Sequence, residues 1–189
     1  MEWQISMPCG EVLEIPPRLF QDLQGAVDAG TWGAGHTSEL ADTLLRQARQ
    51  QGDSEGAVEA ALKAAVLFQR QQEPEQVVLC LTLYATKRAG LLISAGELVQ
   101  GLGLLADALQ LAHHALACSR PGSARELAQI LADTTEEAVA LGTISDSVSL
   151  FAAADDIAAI FAIVSTIWGP DLESEIERLM RLGSLDGVS

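Results

Sequence analysis

Apolar residues recur every three or four positions along most of the chain, a spacing that places them on one face of an α-helix. Two such runs are Leu40, Leu44, Leu45, Ala48 and Val58, Leu62, Ala65, Val66. The strong helix formers Ala, Leu, Gln and Glu are frequent throughout these runs. The pattern predicts an all-α protein of about seven or eight helices. Because the turns between them are short, helices next in sequence should pack antiparallel.

Two prolines indicate where predicted helices begin. Pro17 suits the first turn of a helix over 18–29, and Pro74 suits the first turn before a separate helix over 76–93, because a first-turn residue needs no amide hydrogen. The preceding segment, 2–15, has mixed polarity and is expected to form a short strand or an extended arm.

Glycines and polar caps indicate where helices end and begin again. Gly52 and Asp53 are expected to end one helix and cap the next. Ser94 and Glu97 have the spacing of a capping box, in which each side chain binds the other residue's backbone amide at the start of a helix.

A spacing of glycine, a small residue five positions on and alanine after seven more occurs three times. The sets are Gly52, Ala57, Ala64; Gly96, Gly101, Ala108; and Gly142, Ser147, Ala154. The glycine frees a turn between two helices. Small residues seven positions apart share one face of the second helix, where a neighbouring helix can approach closely.

This spacing resembles the tetratricopeptide repeat, in a form with a longer period than that family's ~34 residues. The resemblance covers residues 38–167, although the family's bulky aromatic positions and closing proline are mostly missing. It implies antiparallel helical hairpins stacked into a short superhelix, whose concave groove holds a peptide or a partner's helix. An irregular helical bundle is the alternative.

Three regions follow from this interpretation. Residues 1–35 form an N-terminal arm and a capping helix, and residues 36–169 form three helical-hairpin repeats. Residues 170–189 form a C-terminal capping helix and a tail. Because the ends of a repeat stack need a polar outer face, the acidic start of this last helix suits its place.

The chain carries 26 acidic and 11 basic residues, a formal net charge of −15. Such a charge opposes direct binding to nucleic acid and to anionic membranes. Twelve of the acids lie in 121–189, against three bases. This acidic third is either a solvated surface or a face that steers a basic partner.

The three cysteines, Cys9, Cys80 and Cys118, are far apart and form no Cys-x-x-Cys motif, so we expect no disulfide framework and a reduced, cytoplasmic protein. Cys80 lies in an apolar run and is expected to be a buried, inert thiol. No signal peptide and no membrane span are expected. His113 and His114 point about 100° apart on a helix and cannot jointly bind one metal ion.

The resemblance places a partner-binding groove on the first helix of each repeat. Asp42 and Arg46 there have the spacing of an ion pair. Asp155 and Asp156 interrupt the most apolar predicted helix. They form either a polar stripe on an otherwise buried helix or an acidic surface that binds a partner's Lys or Arg. The candidate partner-binding residues are Glu39, Asp42, Arg46, Arg49, Leu83, Thr86, Gln129, Glu136, Asp155 and Asp156.

No catalytic, metal-binding or phosphate-binding motif was found, so no enzyme activity, metal or cofactor is expected. The sequence predicts a non-enzymatic adaptor, regulatory or scaffold subunit that binds a partner protein through a helical-repeat groove or its acidic face. The alternatives are a chaperone or immunity-type protein that masks a basic partner, and a small helical enzyme or ligand sensor. A homodimer is also compatible with such a stack.

Overall fold

A computed structural model of the chain describes residues 4–30, 38–116, 118–120, 122–123, 126–127 and 130. These residues form two short strands followed by five helices, so the described chain is mostly helical, as predicted. The elements are β1 (Gln4–Ser6), β2 (Val12–Glu14), α1 (Pro17–Ala29), α2 (Ser38–Gln50), α3 (Glu55–Arg70), α4 (Pro74–Ser94) and α5 (Leu98–Leu116). The predicted third repeat and C-terminal cap lie outside the described residues.

The N-terminal segment is a β-hairpin, which resolves the choice between a strand and an arm. β1 and β2 pair antiparallel with Ile5 opposite Leu13. Both side chains are buried while their neighbours in each strand are exposed, because successive residues of a strand point to opposite faces. Gly10, at φ +90°, supplies the left-handed backbone that the turn requires. β1 packs on α4 and β2 packs on α5.

Helix α4 is the core of the described structure. It is apolar around most of its circumference and packs between α3 and α5. Its bounds confirm the separate helix predicted after Pro74. By length and composition alone α4 could cross a membrane, but 61% of its most apolar stretch is buried inside the molecule, as in many core helices.

The turn between α2 and α3 contains Gly52, as predicted, but the cap of α3 is Ser54 rather than Asp53. Ser54 Oγ accepts a hydrogen bond from the Ala57 amide at 3.2 Å. The Asp53 carboxylate instead lies against Gly90 of α4, where it pairs with Lys87 at 3.4 Å. Asp53 thus connects the turn to α4, and Ser54 caps α3.

The predicted capping box at Ser94 is wrong, because Ser94 is the last residue of α4. Gly96, at φ +87°, closes that helix. The Gly96 amide binds the Ile93 carbonyl at 3.0 Å and the Glu97 amide binds the Leu92 carbonyl at 2.8 Å. These two bonds are the Schellman motif. Because α4 ends at this glycine, Ser94 lies inside α4 and does not cap α5.

The small residues of the first two repeated sets are buried. Ala57, Ala64 and Ala108 are fully buried, and Gly101 is buried on α5. A Cβ atom at Gly101 would lie 2.5 Å from Ile93 Cγ1 and 3.1 Å from the Ala89 carbonyl oxygen, so α5 approaches α4 closely there. The third set lies outside the described residues.

Candidate functional site

The predicted partner-binding residues of α2 form an exposed charged face. Glu39, Asp42, Arg46 and Arg49 are all exposed. The predicted Asp42–Arg46 ion pair does not form between these two described residues. Arg49 instead binds the Glu126 carboxylate at 2.7 Å, 77 residues away. One end of this face is therefore occupied by a contact within the chain.

The predicted middle of the groove is not an open surface. Leu83 is 6% exposed and Thr86 is 7% exposed, and the Thr86 hydroxyl donates to the Thr82 carbonyl of its own helix at 2.9 Å. The prediction failed because α4 packs neighbours on both sides instead of presenting one face to solvent. The remaining predicted residues, Gln129, Glu136, Asp155 and Asp156, lie outside the described residues.

The expectation of no disulfide is also wrong, because Cys9 and Cys118 are joined. The hairpin turn brings Cys9 to the segment that follows α5, across 109 residues of sequence. Spacing along the chain gave no indication of this contact. Cys80, in contrast, is fully buried, as predicted, and burial raises the pKa of its thiol, which disfavours the reactive thiolate.

A carboxylate lies directly beside the disulfide. Glu11 Oε2 is 3.1 Å from Cys118 Sγ. The two sulfur atoms and one Glu11 carboxylate oxygen all lie within 4.8 Å of one another. Cys9 and Glu11 are exposed and Cys118 is half-buried, so solvent reaches this group. We call Cys9, Glu11 and Cys118 the cysteine cluster.

An ion pair between a buried carboxylate and a largely exposed arginine holds the segment after α5 in place. Glu75, at the start of α4, is 1% exposed. Its carboxylate accepts hydrogen bonds from the backbone amide and from Nε of Arg120, both at 2.5 Å. Because Arg120 lies two residues beyond Cys118, this pair fixes the position of Cys118 relative to α4.

A cavity of about 370 Å³ lies between β2, Pro16, Pro17 and α5. Three carboxylates line it: Glu11 and Glu14 from the hairpin and Asp107 from α5. We call it the acidic cleft. The side chains of Gln110 and His114 complete its polar wall.

Arg18 and His113 lie beside the cleft residues Asp107 and His114. The Arg18 guanidinium lies 3.7 Å from an Asp107 carboxylate oxygen, and its side chain is half-exposed. His113, next to the cleft residue His114, has its pKa lowered by burial and by the neighbouring imidazole. The two imidazole rings are 6.1 Å apart and tilted by 34°.

A second cavity, of about 490 Å³, lies between α1, α3 and α4. Its polar groups already bind one another: the Tyr84 hydroxyl donates to Asp22 at 2.6 Å and Arg88 binds Glu55 at 3.0 Å. The buried position of Tyr84, together with the Asp22 carboxylate, raises the pKa of its phenol. These contacts join helices, so this cavity is a weaker candidate for ligand binding than the acidic cleft.

The chain matches no protein-family model, no curated protein and no solved structure.

The acidic cleft was not predicted from the sequence. Its carboxylates come from two segments that are about ninety residues apart and lie close together only when the hairpin packs on α5.

Proposed function

We propose that this chain is a non-enzymatic protein-binding subunit that holds a basic segment of a partner protein in the acidic cleft. The observation that carries the proposal is the cleft itself, in which carboxylates from the hairpin and α5 converge on one open cavity. Within the described residues, Glu14 has no ion-pair partner and is free to bind an incoming cation.

The cleft is suited to a lysine or arginine side chain. Its volume is at the low end of the ~300–1,000 Å³ typical of ligand pockets, which is room for one or two long side chains. Arg18 already places a guanidinium beside Asp107, which supports the view that this wall accommodates that group. The net charge of −15 would steer a basic segment toward the chain.

The finer architecture belongs to the same proposal. We propose that α2–α3 and α4–α5 are successive units of a long-period helical repeat resembling the tetratricopeptide repeat. The equivalent turn positions of Gly52 and Gly96, and the buried small residues that follow each, support this interpretation. The partner site is then the acidic cleft at the hairpin, because the middle of the predicted groove is filled. A cytoplasmic location remains part of the proposal.

Fluorescently labelled peptides of matched length test the proposal. A peptide rich in Lys and Arg should bind, as judged by anisotropy, while a Glu-rich peptide and an uncharged peptide should not. Binding should weaken as salt is raised. Glu14→Gln should weaken it by up to about fivefold, the effect of losing one exposed ion pair.

Glu97→Gln is the matched control, because Glu97 is also exposed but lies outside the acidic cleft. Its affinity for the basic peptide should equal that of the unmodified chain. Equal losses in both variants would indicate general attraction to an acidic protein and would contradict a site in the cleft. Binding of the uncharged peptide with equal strength would contradict the charge recognition.

A further inference from the structure

The cysteine cluster brings together three side chains of types that bind metal ions. The sulfur atoms of Cys9 and Cys118 and a carboxylate oxygen of Glu11 lie within 4.8 Å of one another. Around a tetrahedral zinc ion, bonds of about 2.3 Å to sulfur and about 2.0–2.2 Å to oxygen place the ligand atoms roughly 3.5–3.8 Å apart. The three donors are therefore close enough to share one ion after small side-chain rotations, which the exposure of Cys9 and Glu11 permits.

The charges of the cluster are compatible with a bound divalent cation. A disulfide sulfur carries no proton, so the 3.1 Å approach of Glu11 to Cys118 is not a hydrogen bond while the disulfide is intact. Reduction of the disulfide leaves two thiols and the Glu11 carboxylate within 4.8 Å of one another. A divalent cation bound by this group would displace the thiol protons and compensate the negative charge of its three ligands. A divalent ion would leave a net charge of about −1 at the site.

We propose that the reduced cysteine cluster is a zinc site, with Cys9, Cys118 and Glu11 as ligands and water in the fourth position. A dithiol reductant transfers two electrons and two protons to the disulfide, whose S–S bond breaks, and the reductant becomes a disulfide itself. Zinc then displaces both thiol protons to solvent and forms two Zn–S bonds and one Zn–O bond. The hairpin and the segment after α5 would thus be joined either by the disulfide or by a shared zinc ion.

The structure around the cluster supports an organised site. The Glu75–Arg120 pair fixes the chain two residues from Cys118, and the β-hairpin fixes Cys9 and Glu11. The donors would therefore remain near one another after the disulfide is broken. A reducing compartment would hold the cluster in its dithiol form, which is the form that can bind zinc. The metal site does not depend on the proposed binding of a basic partner.

Cobalt is the probe, because tetrahedral Co²⁺ bound to thiolates has a charge-transfer band in the near ultraviolet and intense visible bands. The full-length chain is reduced with a phosphine, desalted without oxygen and titrated with Co²⁺. The reduced chain should develop both bands at one ion per chain, and Zn²⁺ should abolish them. The chain with its disulfide intact should develop neither.

Variants separate the cluster from other donors. Cys118→Ser should lose the bands, and Glu11→Gln should keep the fold and the disulfide but bind about tenfold or more weakly, since it loses a ligand. Cys80→Ala and Glu97→Gln are the thiol and carboxylate controls and should match the unmodified chain. The proposal is overturned if the reduced chain binds no Co²⁺ through thiolates, or if Glu11→Gln and Glu97→Gln have equal affinities.

Discussion

Gly101 lies where α5 approaches α4 so closely that a Cβ atom would be 2.5 Å from Ile93 Cγ1. Overpacking a core position costs about 1–3 kcal/mol, while alanine regains up to about 1 kcal/mol in helix propensity. Gly101→Ala should therefore lower the free energy of unfolding by about 1 kcal/mol, measured by urea unfolding followed by circular dichroism. Gly25→Ala is the control, because no atom lies within 4 Å of its added methyl group, and it should stabilise the protein. Shifts in the same direction would contradict close packing at Gly101.

Tyr84 is the only tyrosine of the chain, so phenolate absorbance reports on it alone. Burial and Asp22 raise the pKa of this phenol above its ordinary value of 10.0. The unfolded chain therefore releases the proton first, and the free energy of unfolding should fall as pH rises above 10. In an alkaline titration, phenolate should appear only as helical circular dichroism is lost. Phenolate that forms near pH 10 with the helices intact would contradict the buried Tyr84–Asp22 bond.

A control for this titration removes only the neighbouring charge. Asp22→Asn keeps a hydrogen-bond acceptor beside Tyr84 but no longer repels a phenolate, so phenolate should form at a lower pH than in the unmodified chain. Tyr84→Phe should lose all of the phenolate absorbance and, since one hydrogen bond to a carboxylate is lost, about 1–3 kcal/mol of stability at neutral pH.

At the scale of the elements, two serines that each precede a helix differ in their roles. Ser54 caps α3 through its bond to the Ala57 amide, whereas Ser94 ends α4 and caps nothing. Ser54→Ala should lower the free energy of unfolding by about 1 kcal/mol. Ser94→Ala should stay within about 0.5 kcal/mol of the unmodified chain. Equal losses in chemical unfolding would show that Ser94 is also a cap and would restore the capping box.

These elements also show which features a sequence can predict. The proline at the start of α4 was informative because its ring restricts the backbone locally, whatever the rest of the chain does. The Ser94 prediction failed because Ser94 and Gly96 each offer a plausible boundary, and only the packing of α4 decides between them. Leu83 and Thr86 were expected to line a groove but are buried. The expected groove came from a family resemblance, whereas the apolar circumference of α4 favours a central position for this helix.

At the scale of the whole molecule, the candidate-site features that the sequence patterns did not predict join distant parts of the chain. The acidic cleft, the disulfide and the Glu75–Arg120 pair each connect residues separated by 45 positions or more. A local pattern identifies elements, but it contains no information on which loop meets which helix. The candidate site is formed almost entirely by contacts between distant segments. Composition therefore indicated an acidic protein but not the position of its binding site.

The Glu75–Arg120 pair tests whether these long-range contacts hold the molecule together. Removing one partner of a buried ion pair costs about 3–5 kcal/mol, because the other charge is left uncompensated. Arg120→Ala should cost less, about 1–3 kcal/mol, since the Arg120 side chain is 67% exposed and the backbone amide of residue 120 still donates to Glu75. Arg46→Ala is the control: Arg46 is exposed on α2, has no ion pair among the described residues, and should change little.

A double-mutant cycle isolates the pair itself. Glu75→Gln removes the buried charge but keeps an acceptor for the Arg120 amide, so Arg120→Ala should cost much less in that background than in the unmodified chain. The difference between the two losses, from urea unfolding, measures the coupling across 45 residues of sequence. If Arg120→Ala costs the same in both backgrounds, the two side chains are not coupled. The segment that carries Cys118 would then be held by the disulfide rather than by α4, and reduction alone would free it from the hairpin.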